Sequence, residues 1–416
     1  MLTEQRNTGT AKRAAMRPKA ANPGNYQGLG AEYVERARNL GPVIMAAGDE
    51  IERSCELPEQ IVEALSDSGM FRLLLPHSFG GAELPPFAYV AVVEEIAKHD
   101  ASVAWCLGQA CGCSMTAAFL APESAREIFG GDRGIVAWGP PGPAEARMAP
   151  GGYRLTGTWS FASGSHHATW LGAHVAVFAE DGSPRLRPDG SPVFRTLLFP
   201  KAHAVMTDIW HVIGLRGTGS DSYTVRDLFV PERHAVERSP EVKPHEQGLL
   251  YAFSSSNVYS AGFAGVALGV AGAVLNAFIE LARDKIPRGA KRTLRNNNVI
   301  QAQVAQSEAR IGAARAFLLG SLEDIWREAA RTGKLSLDHN ATIRLASTWA
   351  IHQARDAVDT LYHAAGATAI FEENPFERRF RDIHTVVQQY QGRQAHFETV
   401  GQVLLGLGPE STMFTF

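Results

Sequence analysis

A chain of 416 residues is long enough for two or three domains with sizeable cores. Its 20% charged and 45% hydrophobic residues are ordinary for a soluble globular protein, and its net charge of −3 argues against nucleic acid or an anionic membrane as main partner. Four cysteines (Cys55, Cys106, Cys111, Cys113) make no disulfide framework in a chain this long, and the single residue between Cys111 and Cys113 is not a zinc-ligand spacing, so thiols in a reducing cytoplasm are expected.

Residues 1–27 carry Lys12, Arg13, Arg17 and Lys19 but no apolar h-region, and read as a disordered leader rather than a secretory signal. The stretch 28–134 has a helical texture. Leu57-Pro58 starts a helix, with proline in the first turn where its missing N–H costs nothing. Ile61, Leu65 and Met70 then form a buried stripe. Gly80-Gly81 marks a loop, and Pro85-Pro86 leads into a helix through Val90, Val93 and Ile96.

From 135 to 240 the texture changes to short β-rich runs at 173–179, 192–199 and 222–230, with Asp181-Gly182 and Asp189-Gly190 as turn pairs. This predicts a small antiparallel barrel or sandwich. From 245 to 410 the chain is helical again. Ala261 to Ala282 is apolar but interrupted by Asn276 and Glu280, which fits a helix buried in protein better than a membrane span. Ile343, Ala346, Ala350, Ala354, Ala357 and Leu361 give one small apolar face, suited to close packing in a four-helix bundle.

The most informative run is Gly151-Gly152-Tyr153-Arg154-Leu155-Thr156-Gly157-Thr158-Trp159-Ser160-Phe161-Ala162-Ser163-Gly164. After a Gly-Gly turn, Tyr153, Leu155, Trp159 and Phe161 recur at period two, as on one strand face. The strand ends in Ala162-Ser163-Gly164, where small side chains let a flat ligand approach the backbone and Ser163 offers a hydroxyl. By itself this reads as a strand with a Gly-rich end.

The run closely resembles the flavin-facing strand of the acyl-CoA dehydrogenase superfamily. Its wording looks most like the branch of flavin-dependent monooxygenases built on that fold. Ile213-Gly214-Leu215-Arg216-Gly217-Thr218-Gly219-Ser220, followed by Phe229-Val230-Pro231, is similar to the segment that closes the family's β-domain. His363-Ala364-Ala365-Gly366-Ala367 and Arg381-Asp382-Ile383-His384 resemble its AxG turn and its RD segment near the active site. The resemblance implies a multi-domain, mainly α protein: a helical domain, a middle β-domain and a C-terminal bundle.

Two departures point away from the dehydrogenases. Their catalytic base often lies in a Tyr-Glu-Gly sequence after the RD segment, or in some members on another helix; here the nearest text is Tyr390-Gln391-Gly392, one residue late in register, and an amide takes no proton at neutral pH. The first flavin loop reads Trp138-Gly139-Pro140-Pro141-Gly142-Pro143, similar to the monooxygenase branch. That branch uses reduced FMN or FAD from a separate NAD(P)H-dependent reductase, together with O₂, to oxygenate a small aromatic or heteroaromatic substrate. The alternatives are an acyl-CoA dehydrogenase proper and a catalytically silent flavin-binding scaffold.

The resemblance implies a cofactor contact by Trp138, Phe161, Ala162, Ser163, Gly164 and Arg216, with Ser163 near flavin N5. Arg292, in the basic run Lys291, Arg292, Arg295, is placed to meet the flavin phosphate of a neighbouring subunit in a homotetramer. His166 and His167 are candidate proton donors. Phenol hydroxylases of the branch carry histidines after an SxAW segment and after the RD segment. Here Ala101-Ser102-Val103-Ala104-Trp105 is present, but Cys113 and Gln389 fall near those two positions. The text Gln388 to Arg393 looks more like members acting on indole-type or other heteroaromatic compounds.

Overall fold

The computed structural model describes residues 28–131, 133–237 and 242–408; the leader expected at 1–27 lies outside them. Among the described residues six helices come first: α1 (Ala31–Ala46), α2 (Gly48–Ser54), α3 (Glu59–Asp67), α4 (Pro86–Ala97), α5 (Ala101–Ser114) and α6 (Pro122–Phe129). Pro58 is the N-cap of α3, at φ −57°, where no backbone N–H is needed. Ile61 and Leu65 are buried on α3, and Met70 joins the same core from a short 3₁₀ turn beyond its end. Asp100 caps α5 by accepting from the Val103 N–H at 3.0 Å.

Eight strands follow: β1 (Val136–Ala137), β2 (Ala144–Ala149), β3 (Gly152–Trp159), β4 (Trp170–Phe178), β5 (Phe194–Pro200), β6 (Val205–Thr207), β7 (Ser222–Pro231) and β8 (Ala235–Val236). They form one sheet in the order β6-β7-β3-β2-β4-β5-β8, with β1 on β4. Pairings are antiparallel except β1 with β4 and β2 with β4, which are parallel. The β-structure expected of this block is present, but the sheet is mixed. The reason is local: β2 and β3 form a hairpin through Pro150-Gly151, with Gly151 at φ +79°, and residues 160–169 then arch past the end of β2 before β4 enters beside it.

The C-terminal region holds α7 (Ser255–Asp284), α8 (Asn298–Thr332), α9 (Leu337–Ala365), α10 (Glu377–Gln388) and α11 (Ala395–Leu404). α7 to α10 make the bundle, and α11 packs on α9. Every member of the small apolar face from Ile343 to Leu361 is fully buried. α7 is long and apolar enough to cross a membrane, but most of its apolar window is buried inside the protein, as a core helix requires.

Close packing of α5 on α7 depends on glycine: a Cβ on Gly112 would lie 2.4 Å from the Tyr259 ring. This contact brings α5 and α7 together, and Trp105 of α5 separately reaches Ser163 in the arch at 160–169.

Candidate active site

Along β3, Tyr153, Leu155, Gly157 and Trp159 face the core while Arg154, Thr156 and Thr158 face outward. The alternation stops at Phe161, which the sequence pattern places on the same strand face as Tyr153, Leu155 and Trp159. Phe161 adopts φ +60°, a left-handed conformation unfavourable for a bulky side chain, and is 61% exposed. Its ring meets Trp210 edge-on at 6.1 Å. A strained backbone that holds an aromatic ring out of the core is a feature of ligand sites.

The arch is laced to the loop preceding β7. Ala162 N–H donates to Asp221 O at 3.1 Å and Gly164 N–H to Thr218 O at 2.9 Å. That loop approaches its neighbours so closely that a Cβ on Gly217 would lie 2.1 Å from Ile51 and one on Gly219 would lie 2.7 Å from the His166 ring. Asp382 of α10, buried, accepts from the Leu215 N–H at 2.7 Å and so fixes the loop to the bundle; burial raises its carboxyl pKa to about 7.

Ser163 is buried inside this lacing. Its hydroxyl accepts from Trp105 Nε1 at 3.0 Å and lies 2.6 Å from the Ser220 hydroxyl. Ser220 lies 2.7 Å from the Thr218 hydroxyl, which reaches Leu215 O at 2.8 Å. The Trp105 indole is stacked on Phe263, centroids 3.8 Å apart, and Phe263 on Tyr259 at 5.7 Å. Tyr259 OH meets Cys113 Sγ at 3.4 Å. An aromatic wall thus runs from the Ser163 hydroxyl to Cys113.

The two histidines differ. His166 is exposed, with Nδ1 2.6 Å from Glu56 Oε2 and Nε2 2.8 Å from Asp221 Oδ2. Both nitrogens are committed to carboxylates, so this side chain ties the loop before α3 to the β-domain. His167 has both ring nitrogens buried, with no hydrogen-bond partner among the described residues. Burial lowers its pKa to about 3, which keeps the ring neutral and removes the role of charged proton donor. A Cβ on Gly164 would lie 3.1 Å from His167 Nε2, so the imidazole sits directly behind the Ser163-Gly164 turn.

The other expected contacts are dispersed. Trp138 is buried in a cluster with Val136, Leu198 and Cys113, its ring against Gly172 and His174. Arg216 turns toward Glu52, with 3.9 Å from Nε to Oε1, and lines a charged cleft of 970 Å³ between α2, the 212–216 loop and α10. Phe161, Ser163 and His167 do not line that cleft. Arg292 is exposed on the segment joining α7 and α8. The Gln389 side-chain nitrogen is buried with no partner among the described residues. Gln391, in the text nearest the dehydrogenases' Tyr-Glu-Gly, is buried; its carbonyl accepts from Arg344, which also donates to the Ser256 hydroxyl at 2.7 Å.

Sequence reasoning quoted Trp105, Thr218 and Ser220 within motifs but gave them no role, and it missed Phe263 and Tyr259. The aromatic pair at i, i+4 on α7 was the available signal.

Small residues at 162–164, a held hydroxyl and an outward aromatic pair fit a flat, hydrogen-bonding ring such as a flavin. The fold and this site define a flavoenzyme scaffold. The chain matches the models for the acyl-CoA dehydrogenase N-terminal domain over residues 35–127 and C-terminal domain over residues 261–394. It is 28% identical to the indole-3-acetate monooxygenase of Pseudomonas putida, covering 86% of this chain and 90% of that protein. It is also 28% identical to the flavin-dependent monooxygenase oxygenase subunit HsaA of Mycobacterium tuberculosis, covering 90% and 95%. The structure of XiaF from a Streptomyces species, in complex with FADH2 and glycerol, superposes with a TM-score of 0.84 at 26% identity, covering 92% of this chain and 97% of that one. The chain belongs to the acyl-CoA dehydrogenase superfamily, in its flavin-dependent monooxygenase branch.

Proposed function

We propose that this protein is the oxygenase component of a two-component system that oxygenates a small aromatic or heteroaromatic compound, with FMN or FAD delivered reduced by a separate NAD(P)H-dependent reductase. The observation that carries this reading is the pairing of a buried Ser163 hydroxyl, held by Trp105, with an amide rather than a carboxylate at Gln391. A site without that base cannot take an α-proton from an acyl thioester there.

When bound, the reduced flavin supplies the electrons that activate O₂ for transfer of one oxygen atom to the substrate. The protein holds and shields it. Phe161 and Trp210 would flank the flat ring, Ala162 and Gly164 would let it approach the backbone, and the Ser163 hydroxyl would hydrogen-bond its edge. Neutral His167, behind the turn, keeps that side dry and uncharged. The wall of Trp105, Phe263 and Tyr259 excludes water and offers aromatic faces to an aromatic substrate. Gln389 contributes a hydrogen-bond donor for a substrate heteroatom. Arg292, exposed on the connection between α7 and α8, is assigned to the flavin phosphate of a neighbouring subunit in a homotetramer. Four free cysteines, three of them buried, agree with a cytoplasmic location.

The test is an aerobic assay with a flavin reductase, NADH, FMN or FAD, and a panel of phenols, indoles and other heteroaromatics. A product one oxygen heavier, formed only with this protein present, supports the reading. NADH consumption with hydrogen peroxide as sole product across the panel, while acyl-CoA is desaturated, contradicts it.

A further inference from the structure

We propose that the hydroxyl chain Ser163–Ser220–Thr218 is polarised, and that this polarity makes the site prefer reduced over oxidised flavin. The proposal rests on the reading that Ser163 meets flavin N5.

The direction follows from proton counting. Leu215 O only accepts, so the Thr218 hydroxyl proton is spent on it at 2.8 Å. Thr218 Oγ1 must then accept from Ser220, 2.7 Å away, and Ser220 from Ser163, 2.6 Å away. At the other end the Trp105 N–H only donates, and it occupies one lone pair of Ser163 Oγ. Ser163 therefore has no proton left and one lone pair still open. It meets a ligand as an acceptor.

Reduced flavin carries hydrogen on N5; oxidised flavin carries a lone pair there. The chain as drawn accepts from the reduced form and sets lone pair against lone pair with the oxidised form. Reversing the chain lets Ser163 donate to oxidised N5, but Thr218 must then turn to Ser220 and its bond to Leu215 O is lost. Leu215 O is still served by Trp210 Nε1 at 3.0 Å and the Thr218 N–H at 3.1 Å, so reversal is sterically open and costs one hydrogen bond. One such bond is worth about five- to ten-fold in binding. Ser220 and Thr218 are thus positioning residues that act through Ser163.

The test is anaerobic titration of the intact protein with oxidised and reduced FMN and FAD, and with reduced 5-deazaflavin, which has carbon at position 5 and no N–H. The wild type should bind reduced flavin more tightly than oxidised flavin and more tightly than reduced 5-deazaflavin. Thr218→Val removes the anchor, and Ser220→Ala frees the Ser163 proton; each should shrink the oxidised-to-reduced Kd ratio by about five- to ten-fold. Thr218→Ser keeps the hydroxyl and should retain the ratio. If the wild type discriminates against 5-deazaflavin but both Thr218→Val and Ser220→Ala leave the ratio unchanged, the polarity is wrong and the N5 contact stands. If the wild type does not discriminate and Ser163→Ala changes neither affinity, the N5 reading fails and the polarity with it.

Discussion

Trp105 Nε1 donates to the Ser163 hydroxyl across 3.0 Å while the same indole lies on Phe263, centroids 3.8 Å apart. One side chain of α5 therefore couples the small-residue turn of the β-domain to α7 of the bundle. That coupling sets where the Ser163 oxygen points.

Ser163→Ala removes the hydroxyl without straining the turn. The variant should fold and bind flavin, and should release more hydrogen peroxide per reduced flavin consumed. A lost hydrogen bond in a dry site costs about 1–3 kcal/mol, roughly five- to a hundred-fold in rate or lifetime. Product and peroxide measured together check this; unchanged coupling removes Ser163 from the chemistry.

Trp105→Phe keeps an aromatic ring on Phe263 but deletes the N–H. Uncoupling should be intermediate between wild type and Ser163→Ala, and the double variant should be no worse than Ser163→Ala alone. Additive losses in that cycle would show that Trp105 acts independently of Ser163.

His167 has a native pKa of about 3, against an ordinary value near 6.5. Its depressed pKa contributes stability that is present above pH 6.5 and is lost as pH falls toward 3, because the unfolded chain takes up a proton that the folded one refuses. The loss amounts to about 2 kcal/mol between pH 7.5 and pH 5. Urea midpoints for wild type and His167→Phe should diverge over that interval, the variant being less acid-sensitive. Parallel pH profiles would mean the ring gains a proton partner in solution.

Gln391→Glu places a carboxylate against the Arg344 guanidinium. The pair should form a buried ion pair and leave the fold intact, but the new carboxylate is held by the cation and should not act as a base. Anaerobic mixing with acyl-CoA should therefore not bleach bound flavin. Bleaching in this variant alone would show that a single residue separates the two chemistries on this scaffold.

The order of helices, sheet and bundle was legible because it rests on local texture: the glycine pairs, the proline-led helix starts and the small face from Ile343 to Leu361 all act over a few residues. The turn at Ala162-Ser163-Gly164 was legible for the same reason, and the loop at 214–220 through its resemblance to the family's segment. The pairing partners were not. Glu56 and Asp221 bracket His166 from positions far apart in sequence, and nothing near His166 signals that its nitrogens are committed. Phe161 continues the period-two pattern in sequence, but its left-handed backbone turns the ring outward, which a residue-type pattern does not reveal. Arg216 sits in the expected motif, yet Glu52 draws it toward the charged cleft. Parallel pairing of β2 with β4 depends on the path of the arch rather than on either strand's residues.

The central claim is oxygen transfer from O₂ through reduced flavin. The most direct measurement is a single turnover: protein loaded anaerobically with reduced FMN or FAD and an aromatic substrate, mixed with ¹⁸O₂, and the product analysed by mass spectrometry. One ¹⁸O atom is expected in the product and none from labelled water. Oxidised FAD bound tightly and stoichiometrically, bleached by acyl-CoA without O₂, with no labelled product from any aromatic substrate, would contradict it.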